Sequence, residues 1–260
     1  MTQTAFTGLV PIGYVENDAV EVADVPSEGL PSRVRLHDEF IPALDGVEVG
    51  DHIYVIAEFD KADPTVLHGS PGTAFQQGAF SIRSSSRPNR IGLTLSRVTD
   101  IIGGLVSLEW LDFSHGSPVL DIKRYNWRWE VVLAARRLDR RHIEKQIPLA
   151  ALQDVLTRPA VNFHGERCQT VENAAQLAAK LVHQHDIWLG STTLIWHVLG
   201  DGHLIDAIQG LTGATHGNGR LVLPRNALRS DAPVVKVIGE EANLSCLLVA
   251  GGWQIDRVGG

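Results

Sequence analysis

The chain has 260 residues, 44% of them hydrophobic, a formal charge of −7 and two cysteines, Cys168 and Cys246. That is enough apolar material for one large or two ordinary domains that fold without covalent staples; the surplus of carboxylates gives no general attraction to a phosphate backbone, and no apolar run approaches the roughly 18 residues needed to span a bilayer. With no charged-then-apolar leader and only two thiols, a soluble protein of the reducing cytoplasm, with no membrane partner, is expected.

The first half reads as strands and loops. Asp51-His-Ile-Tyr-Val-Ile-Ala-Glu-Phe59 is an apolar strand, and the polar run Arg83-Ser-Ser-Ser-Arg87-Pro88-Asn89-Arg90 that follows is a rigid loop, because Pro88 fixes its own backbone and disfavours helix at Arg87. Leu93 and Leu95 then alternate with Thr94 and Ser96, as in a half-buried strand. Two arginines and a turn asparagine set against the start of that strand are suited to gripping a polar ligand. They serve equally to hold two loops together, Arg83 or Arg87 pairing with Asp112 or Asp121, and Asn89 is a natural turn residue without any ligand.

A second loop, 111–125, carries two carboxylates, a lysine and a phenol. Asp121, Lys123 and Tyr125 share one strand face by their spacing of two. That face either lines an acceptor pocket, where the catalytic residue Asp121 or Tyr125 takes a proton from the nucleophile, or is a solvated, salt-bridged surface.

Residues 127–147 contain neither glycine nor proline and predict a helix bearing Arg128, Arg136, Arg137, Arg140, Arg141 and Lys145. Its basic side chains make a solvated face, or a contact to RNA or to a cofactor phosphate. Pro148 and Pro159 bracket a further short helix over 149–156. From residue 160 the pattern turns to helices and glycine turns. One helix is capped by Thr170 with Ala174, Leu177, Ala178, Leu181 and Val182 on one face, and another spans 202–211 before the glycine-rich turn 212–219. Short strands are expected at 234–238 and 246–249. The fold class is a mainly β N-terminal domain (1–127), a helical linker (128–158) and an α+β C-terminal domain (159–260).

Gly78-Ala-Phe80-Ser-Ile-Arg83-Ser84 running into Arg87-Pro88-Asn89, and Gly116-Ser-Pro118-Val-Leu-Asp121-Ile-Lys123 before Tyr125, resemble the TrmO (YaeB-like) family over roughly residues 8 to 126. The resemblance implies a small β-barrel methyltransferase that uses S-adenosylmethionine, commonly as a homodimer with its site near the subunit interface. By the same resemblance the cofactor residues are Arg83, Arg87, Asn89 and Leu93 with the strand end Trp110-Leu111-Asp112, and, by position, Glu28-Gly29 and Asp60-Lys61. Members acting on tRNA carry Pro-Arg-Gln-Pro-Gly where this chain has Val25-Pro26-Ser27-Glu28-Gly29-Leu30, and His-Gln where it has Asp60-Lys61. The departures put a small-molecule or nucleoside acceptor ahead of tRNA. The alternatives are N-methylation of a tRNA adenosine and a non-catalytic sensor of S-adenosylmethionine or metal.

The second half resembles the FmdE family through Phe163-His164-Gly165-Glu-Arg-Cys168 and the segment Asp206 to Gly219. That resemblance implies metal or cysteine chemistry, but the turn cysteine is Ala214 here. Zinc takes three or four ligands, and His164 with Cys168 supplies two. Asp206, His203 or His216 is available as a third; without one, His164 is a structural histidine and Cys168 a small buried hydrophobe.

Overall fold

The computed structural model describes residues 8–26, 29–69, 77–132, 135, 137–224, 233–240 and 242–258. Two of the residues singled out above, Glu28 and Arg136, lie outside this set. The chain divides into two compact units, Met1–Val132 and Leu133–Gly260. Among the described residues no helix is long and apolar enough to cross a membrane.

In the first unit the strands are β1 (Gly13–Glu16), β2 (Leu30–Leu36), β3 (His52–Glu58), β4 (His68–Gly69), β5 (Gln77–Gly78), β6 (Ile91–Ile102), β7 (Leu105–Leu111) and β8 (Pro118–Arg124). Six of them close an antiparallel barrel in the order β1-β2-β7-β6-β3-β8, and β4 with β5 forms a separate two-stranded ladder. Alternate residues of each strand point inward, so Val34, Ile53, Val55 and Val106 fill the interior, joined by Phe113 from just past β7.

β6 alternates as its sequence suggests, yet its buried side is the polar one: Thr94 and Ser96 are inside and Leu93 is 46% exposed. Register decides this. Ser96, Thr94 and Gly92 stand opposite Ile53, Val55 and Ala57 of β3, whose side chains are all buried, and directly paired residues share a face.

The stretch 127–147 is not one helix. A single turn, α1 (Trp127–Glu130), is capped by Asn126, whose side chain accepts from the Arg128 N–H at 3.0 Å, and ends at Val131 in extended conformation. Among the described residues helix resumes in α2 (Arg141–Glu144). The β-branched pair Val131-Val132 favours extended backbone. Arg137, though exposed, is anchored, donating to the carbonyl oxygens of Leu211 at 2.9 Å and Gly210 at 3.5 Å.

The second unit packs α3 (Leu149–His164), α4 (Gln169–His185) and α5 (Gly202–Thr212) with a sheet of β9 (Ile195–Leu199), β10 (Leu221–Val222), β11 (Val234–Ile238), β12 (Asn243–Val249) and β13 (Gly252–Arg257), ordered β10-β9-β11-β12-β13. This is the expected α+β class. α3 runs on through Pro159, which was expected to end it, because tertiary packing overrides the proline: Leu152, Leu156 and Ala160 are buried, and Gly210 of α5 lets that helix approach so closely that a Cβ there would come within 2.6 Å of the Pro159 carbonyl oxygen. Gly165 closes α3 with φ 101°. α4 begins two residues earlier than Thr170 capping requires, with Cys168 at the cap. Asp201 caps α5 by accepting from the Leu204 N–H at 2.9 Å, and Gly213 ends it in the left-handed conformation.

Candidate functional site

The loop 78–90 is fastened to the barrel by its own arginines. The Arg87 guanidinium donates to the carbonyl oxygens of Ala79 and Ile82, both at 3.0 Å, and so pins the turn between them. Arg83 donates to the Leu93 carbonyl oxygen at the start of β6. Arg90, with φ 52°, pairs with Glu58 at 2.6 Å and donates to the Asp60 carbonyl oxygen at 3.2 Å. Arg83 and Arg87 fasten the loop through these carbonyl groups rather than through an ion pair with Asp112 or Asp121.

The inward hydroxyls of β6 order the end of β7. Thr94 donates its hydroxyl to the Asp112 carboxylate, and the Trp110 N–H donates to Ser96 Oγ at 3.2 Å. Behind Asp112, the Phe59 and Phe113 rings lie 4.9 Å apart and close over Gly92.

Two lobes of a cleft meet at Phe59, Arg83 and Asp112. One, about 250 Å³, is walled by Val22, Val25 and Pro26 on the apolar side and by Asp60, Lys61, Ser85, Ser114 and Ser117 on the polar side. The other, about 290 Å³, is walled by Phe80, Ile82, Ile91 and Leu93 with Ser84 and Arg87. Each lobe is near the lower bound of roughly 300 Å³ for small-molecule sites. Lys61 Nζ donates to the Val20 carbonyl oxygen, which holds its ammonium at the first lobe.

The fold therefore gathers Asp60, Lys61, Arg83, Arg87, Leu93 and Asp112 around one cleft. The remaining expected residues go elsewhere. Leu111 is fully buried in the barrel core and lines neither lobe; its carbonyl oxygen and the Trp110 ring press on Gly29, where φ is 78° and a Cβ would come within 2.8 Å of either. Asn89 is exposed on the turn and lines neither lobe. Asp121 and Tyr125 lie along the outer wall of β8 and just past its end, where Tyr125 packs edge-on against Tyr54 at 6.0 Å and His52 at 6.5 Å. Burial, and secondarily the Glu130 carboxylate, push the Tyr54 phenol above its ordinary value. Phe59, Thr94, Ser114 and Ser117 were not singled out in the sequence. Their signal is faint, since a serine inside a barrel looks locally like a serine in a loop.

Residues 20–130 match the family model described as the tRNA-methyltransferase O N-terminal domain. A relative from Archaeoglobus fulgidus named "S-adenosyl-L-methionine-binding protein" is 36% identical over 123 residues, which is 45% of this chain and 88% of the relative. The chain belongs to the tRNA-methyltransferase O N-terminal domain family. Among other members, the human "tRNA (adenine(37)-N6)-methyltransferase" is 32% identical over 133 residues, covering 44% of this chain and 29% of the human protein. The crystal structure of TrmO from Pseudomonas aeruginosa aligns with a TM-score of 0.44 and 27% identity, over 52% of this chain and 62% of that one. The match covers β2 to β8 and the residues that line the cleft and ends at residue 130, so β1, His164 and Cys168 lie outside it.

Proposed function

We propose that the barrel binds S-adenosylmethionine in the first lobe of the cleft, beside Asp60 and Lys61, and transfers its methyl group to a planar nucleobase-like acceptor seated in the second lobe, beside Phe80. The observation that carries the reading is the meeting of two ligand-sized lobes at Arg83 and Asp112 within the matched domain. Names of relatives support it: the archaeal one is called a binding protein for this cofactor and the human one a methyltransferase.

The residues present fit the cofactor's chemistry. Lys61 and the free donors of Arg83 suit a carboxylate, Asp112 and Asp60 suit an amino group, ribose hydroxyls or the positive charge of a sulfonium, and Val22, Val25 and Pro26 offer an apolar wall. When bound, the cofactor supplies an activated methyl group. The protein's task is then to align the acceptor in line with that methyl and to exclude water. Thr94 fixes the Asp112 carboxylate at the junction, and the Phe59–Phe113 pair closes the floor. Asp121 and Tyr125 act in this chemistry only through the outer wall, and the cleft offers Asp112 as the nearer proton acceptor.

Phe80, 82% exposed at the rim of the second lobe, favours an aromatic acceptor, because every base has a π-face to stack. A tRNA adenine, as in the human relative's name, is the second reading. It is favoured by Trp127 and Trp129, which are 69% and 82% exposed with Arg128 over the Trp127 ring at 5.6 Å. Calorimetric titration with S-adenosylmethionine tests the cofactor: saturable binding near one per chain, lost in Arg83→Ala and Asp112→Ala at unchanged thermal midpoint, is expected. Unchanged affinity in both variants would remove the cleft assignment. Labelled methyl transfer to total tRNA against free nucleosides separates the two acceptors, and tRNA binding should weaken steeply with salt.

A further inference from the structure

We propose that the second unit holds a divalent metal of the zinc class on His164, Cys168 and His203, with a fourth position open to solvent. All three residues belong to the second unit. Three helix ends converge to make it: His164 is the last residue of α3, Cys168 is the cap of α4, and His203 lies in the first turn of α5.

One ligand atom from each residue, imidazole nitrogens and a sulfur, lies within 4.8 Å of the others. His203 Nδ1 stands 2.8 Å from His164 Nε2 and 3.6 Å from Cys168 Sγ. Bonds of about 2.0–2.1 Å to nitrogen and about 2.3 Å to sulfur require ligand atoms some 3.3–3.8 Å apart at tetrahedral angles, so small rotations of the side chains suffice. Without a metal, one nitrogen of His203 faces both a ring nitrogen and a thiol; with one, all three lone pairs have a common target.

The second, separate observation is behind the ligands. His164 Nδ1 lies 3.2 Å from the Asp206 carboxylate, one turn further along α5. A carboxylate there fixes the proton on Nδ1 and leaves the Nε2 lone pair directed at the cluster, the arrangement usual behind metal-bound imidazoles. His164 is nearly buried while His203 is exposed, so the open side of the cluster faces water. Glu166, whose carboxylate is 4.0 Å from His164 Nε2, borders that side. Two nitrogens and one sulfur select zinc or cobalt over magnesium or calcium, which prefer oxygen. Three protein ligands and an exposed fourth position are the layout of a reactive rather than a closed structural site. Binding displaces the Cys168 thiol proton to the buffer, and the metal–sulfur bond replaces the S–H bond.

The experiment uses the full chain, stripped with a chelator and titrated with Zn²⁺ and with Co²⁺. One Zn²⁺ per chain with proton release, and a thiolate-to-cobalt charge-transfer band, are expected. Cys168→Ser separates loss of metal from loss of fold, because serine is a better helix cap than cysteine and should leave α4 intact. It should abolish the charge-transfer band, and His203→Ala should weaken Zn²⁺ binding by more than the about 10–100-fold loss expected of Asp206→Asn. Substoichiometric binding by the parent chain, or equal affinity in the parent and both ligand variants, would overturn the proposal and leave His164 and His203 as a hydrogen-bonded pair.

Discussion

Thr94 on β6 donates its hydroxyl to Asp112 at the end of β7, joining a fully buried barrel position to a carboxylate that borders both lobes of the cleft. The polar residue inside the barrel is thereby part of the site. Thr94→Val keeps the shape and removes the donor. A hydrogen bond to a charged group contributes about 1.5–3 kcal/mol, so S-adenosylmethionine affinity should fall at least about 10-fold. The thermal midpoint should hold or rise, since valine suits the interior. An unaltered dissociation constant in calorimetry would show that Asp112 needs no such support.

Phe80→Ala should raise the acceptor KM and leave the cofactor dissociation constant alone. Stacking on an aromatic side chain contributes about 1–3 kcal/mol per base, which corresponds to roughly 5- to 150-fold. Steady-state kinetics with the acceptor identified by labelled transfer checks this. A parallel loss of cofactor affinity would place the cofactor, not the acceptor, in the lobe bordered by Phe80.

Gly92→Ala should destabilise the first unit. A methyl group there would collide with the Phe113 ring and come within 2.7 Å of Phe59, and the Phe113 ring, fully buried, has no room to retreat. Overpacking of this kind costs about 1–3 kcal/mol. Urea unfolding should show the lowered midpoint, and cofactor affinity should fall with it because the floor of the cleft moves.

The two thiols should behave differently. Burial, and secondarily the Asp256 carboxylate, push the Cys246 thiol up to about 12, so it stays protonated and shielded at any ordinary pH. Alkylation of the native protein at pH 8 should modify Cys168 alone, and added Zn²⁺ should protect it; denaturant should release both. Modification of Cys246 in the native state, read by peptide mass mapping, would mean that the second unit opens readily.

Several elements were legible from local chemistry. Asp201 and Gly213 bound α5 within a residue of expectation, because a cap and a left-handed glycine act on their own helix. Pro88 with the flanking arginines marked the loop of the cleft, because turn chemistry is local too. Pro159 misled: a proline's cost to a helix is local, but burial of Leu156 and Ala160 against α5 outweighs it. The gap between α1 and α2 was equally hidden, since Arg137 is drawn to carbonyl oxygens more than seventy residues away.

The amino-acid sequence by itself determined the span of α5 to within a residue, the strand β11, the division into a β-rich and a mixed half, and the loop that carries Arg83. Only the tertiary structure decided which face of β6 is inside, that Thr94 supports Asp112, and that His203 stands beside His164 and Cys168. The physical reason is range. Periodicity and capping are set within a few residues, whereas strand register and the convergence of helix ends are set by partners distant in the chain.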